Sequence, residues 1–258
     1  MRLLGFDTET SGLDPRRHRV IEYGWALWDT DTCSVLSAGG VMVRPANGEH
    51  LPAEITRVTG ITDAMLQEFG IEPVDALEWL AMFYSEHAVD RIVAQNAPFD
   101  RSFLAAELDR LVAFPQGQVL RDAKWIDTHF DLPPRAHVTQ GGTLTLVAAQ
   151  HGFLNPFPHR AMFDAATCVR LLHGYDIAEV LARADSPEVL VHAVCPFDAR
   201  MEAKDLRFWW CGDTKRWLKK IKHLDWDGLV AQYEAQCVAR QRDEPGWKSK
   251  MQMRVVAK

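Results

Sequence analysis

An α/β protein, with a mixed sheet flanked by helices and a small α+β appendage, is what three features of this sequence predict. The first 43 residues hold three apolar, strand-like runs before any helical pattern. From residue 91 onward, short apolar runs alternate with amphipathic stretches of helical length. Past Ala184-Asp185-Ser186-Pro187 the texture changes to a basic, tryptophan-rich segment. The expected division is therefore a main domain over 1–185 and a module over 186–258.

Strands are expected at 2–8, 19–29 and 34–43, the last two joined by the polar turn Asp29-Thr30-Asp31-Thr32 as a hairpin. Helical spacing follows at 53–57, 62–68 and 73–87. Arg91-Ile92-Val93-Ala94 opens a buried strand at 91–95, and a helix follows over 98–112. Another strand is expected near 119–126. Residues 129–142 read as a loop from their Pro-Pro and Gly-Gly pairs, ahead of helices at 143–151 and 161–174. In the module, 188–194 reads as a strand and 197–204 as a short helix. Phe208-Trp209-Trp210 and Lys215-Arg216-Trp217-Leu218-Lys219 flank Gly212-Asp213-Thr214, a hairpin signal. Residues 226–238 are amphipathic, and the polar tail beyond Arg240 is expected to be mobile.

With 47% hydrophobic and 25% charged residues, the composition is that of a globular protein. No apolar run approaches the ~18 residues of a membrane span. The N-terminus enters a strand without a signal-peptide core. The five cysteines (Cys33, Cys168, Cys195, Cys211 and Cys237) are odd in number and lack Cys-x-x-Cys spacing. That pattern favours reduced thiols in a cytoplasmic compartment over a zinc site. The net charge of −6 is uneven. Residues 186–258 carry 14 Lys+Arg against 10 Asp+Glu, a net +4, and residues 1–185 carry the balance of −10.

Chemistry concentrates in three segments. In Phe6-Asp7-Thr8-Glu9-Thr10 two acids stand two residues apart at the end of an apolar strand, so both carboxylates point to one face. Like charges that close resist burial, and a hard divalent cation such as Mg²⁺ or Mn²⁺ resolves the conflict. Asn96-Ala97-Pro98-Phe99-Asp100 puts a third acid at a helix start, and His159-Arg160-Ala161-Met162-Phe163-Asp164 puts a fourth at another. Each acid alone reads as a helix cap or dipole partner. Together they supply four carboxylates and one histidine.

The order and spacing of Asp7-x-Glu9, Asp100 and His159 five residues before Asp164 resemble the DEDDh family of 3′→5′ exonucleases. That family includes the proofreading subunit of DNA polymerase III, exonuclease X and RNase T. The likeness covers about residues 1–175 and extends to the segment from Leu51-Pro52-Ala53-Glu54 to Thr59-Gly60-Ile61-Thr62. One departure is Gln95-Asn96, where many members read His-Asn. The resemblance implies a ribonuclease H-like, five-stranded mixed sheet and phosphodiester hydrolysis with two divalent ions, Mg²⁺ or Mn²⁺. It implies that Asp7 bridges both ions, that Glu9 and Asp164 complete one coordination sphere, and that Asp100 serves the other. It makes His159 the general-base candidate, since an imidazole of ordinary pKa is neutral near pH 7. It places Thr8, Thr10, Leu13, Ile61, Asn96 and Phe99 against the 3′-terminal nucleotide, with hydrophobic core as an equal reading for Leu13, Ile61 and Phe99.

In the module, Lys215, Arg216, Lys219 and Lys220 are candidates for guiding a strand, interleaved with Trp209, Trp210 and Trp217. A module this small needs core material, so at least two of the three tryptophans are expected inside. DNA is the expected substrate, at single-stranded or frayed 3′ ends, with an exoribonuclease as the alternative. A non-catalytic nucleic-acid-binding protein is the alternative of another class. A polymerase partner is open, with no segment that identifies it, and no membrane partner is expected.

Overall fold

The computed structural model of the chain describes residues 1–45, 49–111, 113–139, 142–244, 246 and 248–256. The chain divides into two compact units, Met1–Ala184 and Asp185–Lys258. The first begins with strands β1 (Arg2–Thr10), β2 (Val20–Asp29) and β3 (Ser34–Met42) and helices α1 (Ala53–Thr59), α2 (Asp63–Phe69) and α3 (Pro73–Glu86). Then come β4 (Arg91–Ala94), α4 (Ala97–Asp109), α5 (Gln118–Arg121), β5 (Trp125–Asp127), α6 (Leu144–Gln150), α7 (Ala161–Leu172) and α8 (Ile177–Asp185). The sheet order β3-β2-β1-β4-β5 puts β1 at the centre, antiparallel to β2 and parallel to β4. This is the expected mixed five-stranded sheet with helices on its faces.

Alternation along β1 sorts its side chains. Leu4 and Phe6 join Leu77 and Leu80 of α3 and Phe103 and Leu104 of α4 in one core cluster. Leu3 joins Cys168, Val169 and Leu172 of α7 in the cluster on the opposite face. Asp7 and Glu9 share the parity of Leu3 and so emerge on the α7 face, while Thr8 emerges on the α4 face. Two glycines let α7 lie directly on the strands. A Cβ on Gly5 would stand 2.3 Å from the Ala165 carbonyl oxygen, and one on Gly24 would stand 2.0 Å from the Ala161 carbonyl carbon.

Differences from the expected elements have local causes. The strand expected near 119–126 is the short helix α5 followed by the three-residue β5. Leu120 is buried from that helix, and only Trp125–Asp127 pair with β4. Helix α8, which the apolar pattern did not announce, buries Val180 against α7's cluster. Val112, the expected end of the helix after β4, lies outside the described residues, as do Gln140 and Gly141 of the 129–142 loop.

The second unit contains β6 (Glu188–Val194), α9 (Arg200–Asp205), β7 (Trp209–Cys211), β8 (Arg216–Lys222), α10 (Trp226–Asp243) and β9 (Gln252–Val256). Its antiparallel sheet runs β7-β8-β6-β9. Val191 and Ala193 of β6, Ile221 of β8, Ala203 of α9 and Leu229 of α10 form its core. The tail expected to be mobile instead continues α10 to Asp243 and returns as β9, which pairs with β6 and follows the buried Met251. Tail residues Pro245, Trp247, Ala257 and Lys258 lie outside the described residues. The expectation for the tryptophans is also corrected: Trp217 packs against the core, but Trp209 and Trp210 are 47% and 52% exposed on the short edge strand β7. Lys219 turns inward and donates to the Leu206 carbonyl at 2.7 Å, and Lys220 is held by Glu188. Both are thus committed within the unit, whereas Lys215 and Arg216 are exposed.

Candidate active site

The end of β1 meets the N-termini of α4 and α7 in a cleft of about 660 Å³. Asp7, Glu9, Asp100, Asp164 and His159 all line it, as do Thr8, Thr10, Leu13, Asn96 and Phe99. Ile61 does not. It is fully buried with Ile21 and Leu66, which decides between the two readings in favour of core. Leu13 stands at the other extreme, 82% exposed on the rim.

Each acid is placed by a local device. Asp7 and Glu9 come from strand alternation. Asp100, in the first turn of α4, accepts hydrogen bonds from the backbone N–H of Thr8 at 2.9 Å and from its hydroxyl at 2.8 Å. These bonds cross from β1 to α4 and fix the third acid beside the first two. Asp164 in the first turn of α7 accepts the His159 N–H at 2.9 Å and the Asn155 side-chain amide. His159 has φ +64°, a left-handed conformation unusual for a residue with a Cβ, and that backbone bond holds it. Because the bond uses the backbone, the exposed imidazole is not what secures the loop.

The carboxylates conflict electrostatically. Glu9 is pushed up to about 8 by burial and by Asp164, Glu22 and Asp100. Burial raises Asp100 to about 7, against the lowering effect of the Thr8 bonds. Burial likewise raises Asp164 to about 6, against the His159 N–H. Asp7 is held well above the usual carboxylate range by burial, then by Asp100, Asp164 and Glu9, consistent with a central place among them. Arg160 lowers Glu9 but is outweighed, and it is bound by Glu22. Such a set of hard oxygen donors suits Mg²⁺ or Mn²⁺. The ligand atoms of Glu9, His159 and Asp164 also lie within 4.8 Å of one another, so the imidazole reaches the same region as the acids.

Three supporting residues went unread in the sequence. Glu22 of β2 sits opposite Glu9, is 3% exposed, and binds Arg160 at 2.7 Å and the Ala161 N–H at 2.9 Å. It thereby anchors the start of α7 and the loop that carries His159. The available signal was an acid inside the apolar run from Val20 to Leu27, since buried acids are rare without partners. Asn155 was hidden in an irregular segment. Asp127, at the end of β5, accepts the N–H groups of Asn96 at 2.8 Å and His129 at 2.9 Å. The first of these bonds holds Asn96 at φ +60°, which starts α4 at the angle that delivers Asp100. At the departure noted above, Gln95 takes a hydrogen bond from Thr128 and donates to the Gly142 carbonyl at 2.9 Å.

The family model described as Exonuclease, of the RNase T type, matches residues 4–172. A Mycobacterium tuberculosis protein named as a bifunctional exonuclease/endonuclease is 36% identical over 145 residues, covering 54% of this chain and 20% of that protein. This chain therefore spans about a fifth of that relative's length. The DNA polymerase III subunit epsilon of Treponema pallidum is 27% identical over 196 residues, covering 71% of this chain and 83% of the subunit. Among solved structures, the nuclease domain of the DEDDh protein 3′hExo bound to rAMP superimposes with a TM-score of 0.54 at 20% identity, covering 67% of this chain and 90% of that one. Exonuclease I of E. coli in complex with a dA16 oligonucleotide gives 0.57 at 15% identity, covering 95% and 71%. At such identities the two structures speak for the fold.

Proposed function

This chain belongs to the exonuclease family of DEDDh 3′→5′ nucleases, and from that premise we propose that it removes 5′-mononucleotides from 3′ ends of DNA, single-stranded or frayed. The observation that carries the proposal is the convergence of four strained carboxylates and one exposed imidazole on a single cleft. Two divalent ions, Mg²⁺ or Mn²⁺, held by Asp7, Glu9, Asp100 and Asp164, would supply water activation and charge stabilisation at the scissile phosphate.

The chain's own residues account for the rest. His159 accepts the proton of the attacking water, and its position at the exposed mouth lets it pass that proton to solvent. Thr10, Leu13, Asn96 and Phe99 line the space for the terminal nucleotide, with Leu13 as the apolar edge against the last base. The side chains proposed here offer stacking and backbone contacts and no base-edge code, which favours sequence-independent removal. The preference for DNA leans on the relatives named as DNA polymerase III subunits. An exoribonuclease of the same chemistry is the second reading, because one structural neighbour carries rAMP and another is described as recognising a histone mRNA stem-loop. The cytoplasm is the proposed compartment. No helix among the described residues is long and apolar enough to cross a membrane.

Time-resolved digestion of matched 3′-labelled DNA and RNA, single- and double-stranded, with Mg²⁺ and with EDTA, tests the proposal. Stepwise shortening of DNA that stops in EDTA is expected. Full activity in EDTA would refute the two-ion reading, and faster loss of RNA would move the assignment to the exoribonuclease.

A further inference from the structure

The second unit presents a sheet face that its own core does not use. The core under α9 and α10 draws on Val189, Val191 and Ala193 of β6, Trp217 and Ile221 of β8, and Met253 of β9. The alternate residues of each strand point the other way. The register aligns four of them in one row across the full width of the sheet: Trp209, Leu218, His192 and Arg254. Arg216 shares this face, two residues along β8 from Leu218. It and Arg254 are exposed, and the strands that carry them, β8 and β9, flank β6 and its His192 on either side.

The charge balance of the face is one-sided. Strand alternation puts four cations, Arg216, Lys220, Lys222 and Arg254, and a single acid, Glu188, on this face. That acid is bound to Lys220. The face therefore offers two exposed guanidiniums and a half-exposed indole. Guanidinium groups match phosphate oxygens with paired donors, and an exposed indole is a platform for any base. A polyanion with stackable rings is complementary to both, and the family's substrate is such a polyanion.

We propose that this face binds single-stranded nucleic acid without regard to sequence, with a base stacked on Trp209 and phosphates on Arg216 and Arg254. The proposal extends the nuclease reading above and rests on it for the choice of polyanion. It also replaces the two inward or paired lysines, Lys219 and Lys220, with residues that are available to a ligand.

The test uses the full chain and two variants, Trp209→Ala and the double charge reversal Arg216→Glu/Arg254→Glu. Binding of labelled oligothymidylate is measured by anisotropy in EDTA, so that no turnover occurs, over a range of salt concentrations. Loss of the stacked base should weaken binding about 5- to 100-fold. Loss of two phosphate contacts should flatten the slope of log affinity against log salt by about 1.4. Hydrolysis of the p-nitrophenyl ester of thymidine monophosphate, in Mg²⁺, should stay at the wild-type rate in both variants. Thermal melting reports folding, and should Trp209→Ala disturb it, the exposed arginine pair decides the matter alone. Wild-type affinity and salt slope in the folded variants would overturn the proposal and leave the face to an acidic protein partner. A wild-type chain that cleaves neither ester nor strand would instead remove the nuclease reading, while the affinity differences would still judge the binding face.

Discussion

Asp7 and His159 share a cleft but are held in different ways, and their variants should fail in different ways. Asp7 is buried among four other acids that raise it, Asp100, Asp164, Glu9 and Glu22, so Asp7→Ala removes both a ligand and the focus of the charge cluster. Metal affinity and turnover should fall together. His159 keeps its place through its backbone N–H, which a substitution of the side chain leaves intact. His159→Ala should bind Mn²⁺ nearly as well as wild type and lose about 10²–10⁴-fold in turnover. Calorimetry decides it: an equal loss of Mn²⁺ affinity in both variants would make the imidazole a ligand. The Glu22–Arg160 pair supports a second prediction. Arg160 is 35% exposed and Glu22 is 4% exposed at the side chain, so the two partners are not equivalent. Removing Arg160 leaves the buried Glu22 carboxylate beside Glu9 without its cation and should cost about 3 kcal/mol or more at neutral pH. Removing Glu22 leaves an arginine able to rehydrate, so Glu22→Gln should cost less. Urea denaturation of both variants at neutral pH measures the difference.

At the scale of elements, α7 matters most, because it brings Asp164 and the His159 loop onto the strands that carry Asp7 and Glu9. Its close approach depends on Gly5 and Gly24. Alanine at Gly24 would place a methyl group 2.0 Å from the Ala161 carbonyl carbon, and backbone cannot swing aside as a side-chain tip can. Gly24→Ala should therefore destabilise by about 1–3 kcal/mol, the cost of overpacking, and lose turnover out of proportion to that by displacing the α7 N-terminus. Denaturation and steady-state rates on the same preparation check both. The elements of the first unit were legible where period and length agreed, as in β1, β2, α3 and α7. The four acids were legible because each stands at or near the end of an expected element and their order and spacing form one pattern. The short β5 was not, because three paired residues carry too little pattern and their pairing with β4 is non-local. Glu22 and Asp127 were missed because their work is done through backbone N–H groups of remote segments, and Asn155 because it donates its side-chain amide to Asp164 from an irregular segment. The tryptophan pair was misread for a reason already present in the chain. Adjacent residues on a strand face opposite sides, so Trp209 and Trp210 could not both enter one core. Strand β9 was obscured by its polar approach and by a partner, β6, about sixty residues away.

For the whole molecule, the cluster of raised acids makes stability depend on pH and on metal together. Carboxylates in the unfolded chain ionise near pH 4. In the folded chain Asp164 is raised to about 6, Asp100 to about 7 and Glu9 to about 8, with Asp7 raised as well. The folded state therefore holds more protons than the unfolded state between pH ~4 and ~8. The stability that these groups contribute is fully present below their unfolded values. It is lost as pH rises through the folded values, so the metal-free first unit should melt at progressively lower temperature from about pH 5 to about pH 8. A divalent ion reverses the preference by favouring the charged forms. Mg²⁺ or Mn²⁺ should thus raise the melting temperature more at pH 8 than at pH 5, and at a hundredfold excess over its Kd the gain would be about 2.7 kcal/mol. The transition to follow is that of the first unit, since two compact units need not melt as one. A chain ending at Ala184 isolates it, and we expect that piece to fold, because it holds the whole five-stranded sheet and both of its main clusters. Scanning calorimetry of this piece and of the full chain, in EDTA and in Mg²⁺ at both pH values, gives the answer. A melting temperature in EDTA that rises from pH 5 to pH 8, or that Mg²⁺ leaves unchanged at pH 8, would show that the four carboxylates are neutralised in some other way. The two-ion site would then lose its physical basis.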